Sequence, residues 1–266
     1  MQLKFSVSMV ARRVTVPLAG VGGNWIAKLP MNVFPGLPEN EFTIMSFAAT
    51  VGLDVPRIKL VDLDAVDGLP QNLPTLRESE PRKAYVIARF DRLPNGDRVH
   101  VEDFNQIADQ PPFDKYANRS SAWIAKRIAT LCPQEDLDEF VRRLVFGVCV
   151  GNNDMHLKNW AVGYPDGRTA RIAPLYDYIC TLRYFPDGKL AIPIGSERDF
   201  ECIDRHALRR LAEAADISVH RTLAVAEEMV ARIRESWISF RTTVKDRELL
   251  AAIEQTFSLV PLMSGR

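Results

Sequence analysis

Gly151-Asn152-Asn153-Asp154-Met155-His156-Leu157-Lys158-Asn159 is the densest run of functional residue types in the chain. It begins where the most apolar helix pattern stops. From Leu137 to Val150, the set Leu137, Phe140, Val141, Leu144, Val145 and Val148 follows i, i+3, i+4, i+7, i+8 and i+11, the spacing of a buried helix face. Polar side chains in a loop held by a packed helix are well placed for chemistry. After the loop, Trp160–Tyr164 has strand character, Pro165-Asp166-Gly167 is a turn signal and Thr169–Ala173 is a returning strand, leading into Ala173-Pro174-Leu175-Tyr176-Asp177.

The midpoint between positions 154 and 177 falls at the turn that begins with Pro165. Residues symmetric about a hairpin turn lie at the same end of its ladder, so Asp154 and Asp177 are expected to emerge side by side, with Asn159 close by. Two carboxylates and an amide oxygen are hard donors that suit Mg²⁺, whose shell is completed by phosphate and water. Alternatively, Asp154 accepts the proton of a hydroxyl nucleophile while Asn159 and Asp177 hold the metal, the division of labour in kinases. The plain alternative is that Asn152, Asn153 and Asp154 only cap the helix end. His156 is either a hydrogen-bonding brace or a base. Lys158 is grouped with it as a candidate for catalysis and nucleotide binding.

Working outward, the first third is β-rich. Phe5–Val10, Val14–Val16, Trp25–Leu29, Ile58–Val61 and Tyr85–Phe90 have strand character, and Gly20-Val21-Gly22-Gly23-Asn24 is a turn cluster. Glu39–Val51 forms a helix with Phe42, Met45 and Ala49 on one face and Gly52 as its stop. The polar stretch Asp62–Arg82 is expected to be a surface loop or insertion. Further helices are expected at Ser121–Leu131, Ala207–Ala215, Val219–Trp237 and Arg247–Phe257. The division is therefore a sheet-rich lobe over 1–91 and a helical lobe over 92–266.

Composition excludes several classes. The 266 residues carry 34 Lys+Arg against 34 Asp+Glu, and the zero net charge argues against a dedicated nucleic-acid binder. With 47% hydrophobic and 26% charged residues the chain can build a real core and is not disordered. The stretch Leu144–Val150 is far short of the ~20 apolar residues needed to span a bilayer. Met1-Gln2-Leu3-Lys4-Phe5-Ser6 lacks the apolar segment of a signal peptide. Cys132, Cys149, Cys180 and Cys202 lie far apart without metal spacing, as expected of reduced, mostly buried cytoplasmic thiols.

A kinase reading also requires a cation for nucleotide phosphates. Lys28, near the end of an apolar strand, is the candidate, with Glu41 on the next helix as its ion-pair partner. Standing alone, Lys28 would be a surface lysine at a strand end. Arg89-Phe90-Asp91-Arg92 ends the last strand of the front lobe, where an inter-lobe hinge would contact adenine and ribose. Asp91 either accepts from a ribose hydroxyl or pairs with Arg89 or Arg92.

In order along nearly the whole chain, seven segments are similar to one family. They are Lys28-Leu29-Pro30, Glu39-Asn40-Glu41, Gly52-Leu53-Asp54-Val55-Pro56, Arg89-Phe90-Asp91-Arg92, Glu102-Asp103-Phe104-Asn105-Gln106, the Gly151–Asn159 loop and Ala173-Pro174-Leu175-Tyr176-Asp177. The chain resembles the HipA-like serine/threonine kinases, the toxins of bacterial toxin–antitoxin modules. The resemblance implies an α+β, divergent two-lobed protein-kinase-like fold with a nucleotide-binding N-lobe, using ATP and Mg²⁺. It implies Asp154 as catalytic base, with His156 and Lys158 in the catalytic and nucleotide-binding loop. Asn159 and Asp177 would be the metal ligands, Lys28 with Glu41 the phosphate-binding pair, and Ile87, Arg89, Phe90 and Asp91 the hinge and ribose contacts. It further implies a protein substrate such as an aminoacyl-tRNA synthetase, growth arrest, and neutralisation by a DNA-binding helix-turn-helix antitoxin.

The chain departs from the family at its front. Members carry a Gly/Ser phosphate loop, and an N-terminal subdomain before it, ahead of the segment matching Gln2–Ser6. Gly20–Gly23 fits a hairpin turn better than that loop. The expectation is thus a short form, with a late start codon, a split toxin whose N-terminal subdomain is a separate protein, or weak nucleotide binding as the alternatives. The competing functional reading is a nucleotide-binding pseudokinase, or a toxin half, acting through a partner protein. Small-molecule phosphotransfer fits the family match less well, and a metallophosphoesterase lacks its other ligand motifs.

Overall fold

The computed structural model describes residues 2–10, 13–17, 22–70, 73, 75–78, 80–93, 95–116 and 119–264. Gly20 and Val21 of the expected turn cluster lie outside them. The elements of the first part are β1 (Lys4–Val10), β2 (Arg13–Thr15), β3 (Trp25–Lys28), α1 (Leu37–Thr50), β4 (Ile58–Asp62), β5 (Val66–Asp67) and β6 (Lys83–Ala88). Among the described residues they form a six-stranded sheet ordered β4-β6-β3-β1-β2-β5, antiparallel except for the β2–β5 pair.

Alternation along the central strands sorts side chains onto two faces. Trp25 and Ala27 of β3, with Ala84 and Val86 of β6, join Val7, Val14, Leu29, Leu63 and Val66 in a small core on one face. Tyr85 and Ile87 point the other way, into the main core under α1. Two buried residues in the expected surface loop, Leu63 and Val66, belong to the small core, and β5 pairs with β2. The polar composition of Asp62–Arg82 conceals them because β5 is only two residues long and follows a single 3₁₀ turn.

α1 joins the sheet to the rest of the molecule. Its buried residues Ile44, Met45, Phe47 and Ala48, with Val51 just past its end, are in the main core, whereas Ala49, expected on the apolar face, is exposed. The Phe47 ring lies 4.7 Å from Phe240, 5.2 Å from Trp237 and 5.6 Å from Phe146. Because the helix is covered on two sides, a single apolar stripe describes it poorly.

The second part contains β7 (His100–Asp103), α2 (Phe104–Ile107), α3 (Ser121–Leu131), α4 (Gln134–Cys149), β8 (Ala161–Tyr164), β9 (Arg171–Ile172), α5 (Arg205–Ala215), α6 (Val219–Phe240), α7 (Arg247–Leu259) and α8 (Pro261–Ser264). Caps set the helix starts. Ser120, Asp204, Ser218 and Asp246 each accept a backbone N–H of the first turn, and Asp103 with Gln106 forms a capping box. α4 starts at Gln134, before its first apolar residue, with Glu135 and Asp136 at its positive end. Its six predicted core residues are all buried. Cys149 and Cys180 are buried, Cys132 is half-buried and Cys202 is exposed. No helix among the described residues is long and apolar enough to cross a membrane.

β7, β8 and β9 form a second antiparallel sheet whose register corrects the hairpin argument. Val162 pairs with Ile172 and Gly163 with Arg171, which centres the connection on Gly167 and places Cys180, not Asp177, opposite Asp154. The connection is longer than a Pro-Asp-Gly turn, because the Asp166 carboxylate accepts the N–H groups of Arg168 and Thr169 and carries the loop further. Truncating Phe47 to Ala is expected to cost about 3–5 kcal/mol in denaturant unfolding, the usual penalty for emptying a buried aromatic site.

Candidate active site

The loop after α4 is fixed from below. Gly151, at φ 75°, turns the chain out of the helix. Asn152 is buried, and its side-chain oxygen accepts the Asp154 N–H at 3.1 Å. Thr181 ties the loop to the following segment: its hydroxyl accepts from Asn153 N (2.6 Å) and donates to the Gly151 carbonyl (2.9 Å). Met155 and Leu157 are buried in the main core, while Asp154, His156 and Lys158 line the cleft. Met155 fits because residue 147 has no side chain: a Cβ there would stand 2.2 Å from the Met155 sulfur.

The Asp154 side chain is 44% exposed. Its carboxylate accepts the Tyr116 hydroxyl at 3.0 Å, and His156 Nε2 lies 3.8 Å from its other oxygen. His156 is buried; desolvation, with Lys115 nearby, lowers its pKa against the pull of Asp154, so the imidazole is neutral at neutral pH. Asn159 donates its amide N–H to the Asp154 carbonyl at 2.9 Å, which leaves its Oδ1 as the available acceptor. Lys158 Nζ reaches the Pro112 carbonyl at 3.5 Å, and its own carbonyl accepts the Tyr176 hydroxyl at 2.9 Å.

Across the cleft, Lys28 of β3 is 3% exposed and pairs with both Glu41 of α1 and Asp177. Burial alone would lower the Lys28 pKa, but the two carboxylates outweigh it and raise it. Burial would likewise raise Asp177; Lys28 and Lys4 instead hold it well below the usual carboxylate range. Glu41 is pushed up, by burial first. Lys4 stands directly opposite Lys28 in the β1–β3 register and lies 3.3 Å from Asp177. Like charges directly across a ladder repel, and Asp177 between them relieves this. Asp177 itself has a left-handed backbone (φ 58°), rare for a residue with a side chain. Its flanks are held by α1 and the turn after it: Leu175 N donates to the Asp54 carbonyl at 2.8 Å, and the buried Asn40 amide exchanges two hydrogen bonds with Cys180.

The residues expected at the hinge line a neighbouring cavity of about 280 Å³ rather than the Asp154 cleft itself. Ile87, Arg89, Phe90 and Asp91 face Ile26, Val101 and Tyr176 there, and Lys4 and Asp177 border both spaces. β6 ends at Ala88, and Arg89 N donates to the Asn24 carbonyl beyond it. Asp91 takes the salt-bridge alternative: Arg89 grips it through two nitrogens at 2.9 and 2.7 Å, and Arg92 Nη1 lies at 2.6 Å. Desolvation would raise its carboxyl, but these guanidiniums lower it overall. Lys4, Tyr116, Lys115 and Tyr176 were not foreseen. Finding Lys4 needs the β1–β3 register, and Tyr116 sits in an irregular segment with no periodic signal.

A family model described as the HipA-like C-terminal domain matches residues 1–237. The chain belongs to the HipA-like family. It is 40% identical over 240 residues to a Sinorhizobium fredii protein named "Putative kinase Y4dM", covering 89% of this chain and 58% of that protein. It is 29% identical over 230 residues to "Putative kinase Y4mE" of the same organism, covering 82% and 50%. The chain thus spans between half and three-fifths of the length of these relatives. Its structure is similar to HipA of Shewanella oneidensis, solved with HipB and operator DNA, at TM-score 0.77 and 18% identity, covering 99% of this chain and 62% of that one. It is also similar to the Helicobacter pylori proinflammatory kinase CtkA, at TM-score 0.53 and 12% identity, covering 97% and 91%. The fold is α+β and kinase-like.

Two outcomes test the packing of the site. Lys28→Met should destabilise the chain by about 3–5 kcal/mol in urea titration, because it leaves buried Glu41 without its cation, and Glu41→Gln in that background should recover part of the loss. Gly147→Ala should cost about 1–3 kcal/mol by driving a methyl group into Met155, read by the same titration.

Proposed function

We propose that this chain is an ATP- and Mg²⁺-dependent serine/threonine protein kinase of the HipA toxin type. The observation that carries the reading is the convergence of Lys28, Glu41 of α1 and Asp177 on one side of a cleft that Asp154 and Asn159 line on the other. Residues 1–91 would serve as the nucleotide-binding N-lobe and 92–266 as the helical C-lobe.

The donor set fits Mg²⁺. Among the described residues no group of three or more His, Cys, Asp or Glu forms a metal cage. Asp177 and the free Oδ1 of Asn159 would offer one carboxylate and one amide, the sparse protein contribution Mg²⁺ accepts when phosphates and water complete its shell. Bound there, the ion would neutralise charge developing on the transferred phosphoryl group. Lys28 and Lys4 would bring ammonium groups to the phosphates as Asp177 turns to the metal. Glu41 would hold Lys28 in place. Asp154 would accept the proton of the attacking hydroxyl, and Asn159 would fix the Asp154 carbonyl. Neutral His156 would brace the loop, Lys158 would add positive charge toward the phosphates, and Ile87, Arg89 and Phe90 would wall the base. Asp91, already paired, would keep one lone pair for a ribose hydroxyl.

The substrate would be a translation component such as an aminoacyl-tRNA synthetase in the cytoplasm, with growth arrest as the result. A helix-turn-helix antitoxin is the proposed partner, in line with the HipB complex of the Shewanella relative. A separate N-terminal subdomain protein is a second proposed partner. Zero net charge favours leaving any operator contact to the antitoxin. A second reading, nucleotide binding without transfer, is favoured by the double lysine occupancy of Asp177.

Thermal shift with ATP·Mg²⁺ beside transfer of label from γ-³²P-ATP separates the two. The kinase reading expects both signals, with transfer falling by about 10²–10⁴-fold in Asp154→Asn and lost in Asp177→Ala. Equal transfer by wild type and Asp154→Asn would end it; stabilisation without transfer selects the second reading.

A further inference from the structure

The hydroxyl that meets Asp154 in this structure comes from the chain itself. Tyr116 Oη donates to Asp154 Oδ1 at 3.0 Å, as an acceptor alcohol would before losing its proton. The contact is supported along the whole segment. Leu157 N donates to the Lys115 carbonyl at 3.3 Å, and Lys158 Nζ reaches the Pro112 carbonyl at 3.5 Å. The Tyr116 ring stands edge-on to His156 at 5.5 Å, with Lys115 Nζ 4.8 Å from its centroid. Desolvation and the Asp154 charge push the phenol up to about 12, so it stays a donor at neutral pH. A purely structural tyrosine would be expected to bury its ring, yet half of this side chain's residue surface is exposed on the cleft rim.

We propose that Tyr116 is a phosphorylation site modified in cis, its hydroxyl occupying the acceptor position at Asp154. The proposal rests on the kinase reading above and widens its acceptors from serine and threonine to one tyrosine of the chain itself. Asp154 takes the phenolic proton as the Tyr116 Oη–phosphorus bond forms. The bond from the γ-phosphorus to the β,γ-bridging oxygen breaks, ADP leaves with that electron pair, and the proton passes from Asp154 to water. The product phosphate is repelled by the Asp154 carboxylate and attracted to the ammonium groups of Lys115 and Lys158. Modified Tyr116 therefore vacates the base, and the acceptor position opens to another protein. Unmodified, the same side chain blocks it.

Incubating the full chain with ATP and MgCl₂ at protein concentrations spanning 100-fold, followed by peptide mass spectrometry, tests this. One phosphate is expected on Tyr116, formed at a fractional rate independent of protein concentration. Tyr116→Phe should lose that phosphate while keeping the thermal shift with ATP·Mg²⁺. Label on the chain's serines or on added casein with Tyr116 unmodified overturns the proposal and leaves the kinase reading standing. A Tyr116 rate that rises with protein concentration overturns the cis assignment. Transfer to no acceptor at all removes the kinase reading and this proposal together.

Discussion

The buried ammonium of Lys28 holds three parts of the chain in one arrangement. It comes from β3, and its two partners come from α1 and from the segment after β9. A buried cation must be paired or it neutralises. The sheet, the helix and the Asp177 segment are therefore set relative to one another by charge as well as by packing. Lys4 and Lys28 together balance Glu41 and Asp177, so the unliganded cleft is close to neutral at its centre. A polyphosphate arriving there brings excess negative charge, which the lysines alone do not cancel. In the proposed kinase, the divalent cation at Asp177 and Asn159 would offset this imbalance.

Packing reinforces the same joint. α1 closes one face of the six-stranded sheet and presents Phe47 to Phe146 of α4 and to Trp237 and Phe240 of α6. The main core consequently runs from Tyr85 and Ile87 of the sheet through to α8 without interruption. Glu41 and Phe47 sit on one rigid rod, so displacing its packed end would move its charged end. The Asn40 clamp on Cys180 ties the Asp177 segment to that rod as well.

The parts of the fold legible in the sequence are those with a strong period. α4 announced itself by six apolar positions at helical spacing, and the polar loop after it followed from where that spacing stopped. Lys28 and Glu41 were visible as a strand-end cation and a helical acid, and the structure pairs them. Side-chain pairing through tertiary register was not visible. The β8–β9 offset, the approach of Lys4 to Asp177 and the placement of Tyr116 all depend on which residues face each other across separate strands or loops. Local composition does not encode that. Asp91 is a further case: the sequence left a ribose contact and a salt bridge open, and only geometry brought both arginines onto it. β5 escaped notice because two residues carry no period.

The anchoring of the loop after α4 has one more consequence. Met155 and Leu157 are buried in the main core, while Asp154, His156, Lys158 and Asn159 line the cleft. The loop closes in a single 3₁₀ turn over Leu157–Asn159, and its start is tied through Thr181 to the segment that follows Asp177. With both ends fixed, deleting or inserting one residue between Gly151 and Asn159 would pull Met155 or Leu157 from its place in the core. The loop is intolerant of any change in its length.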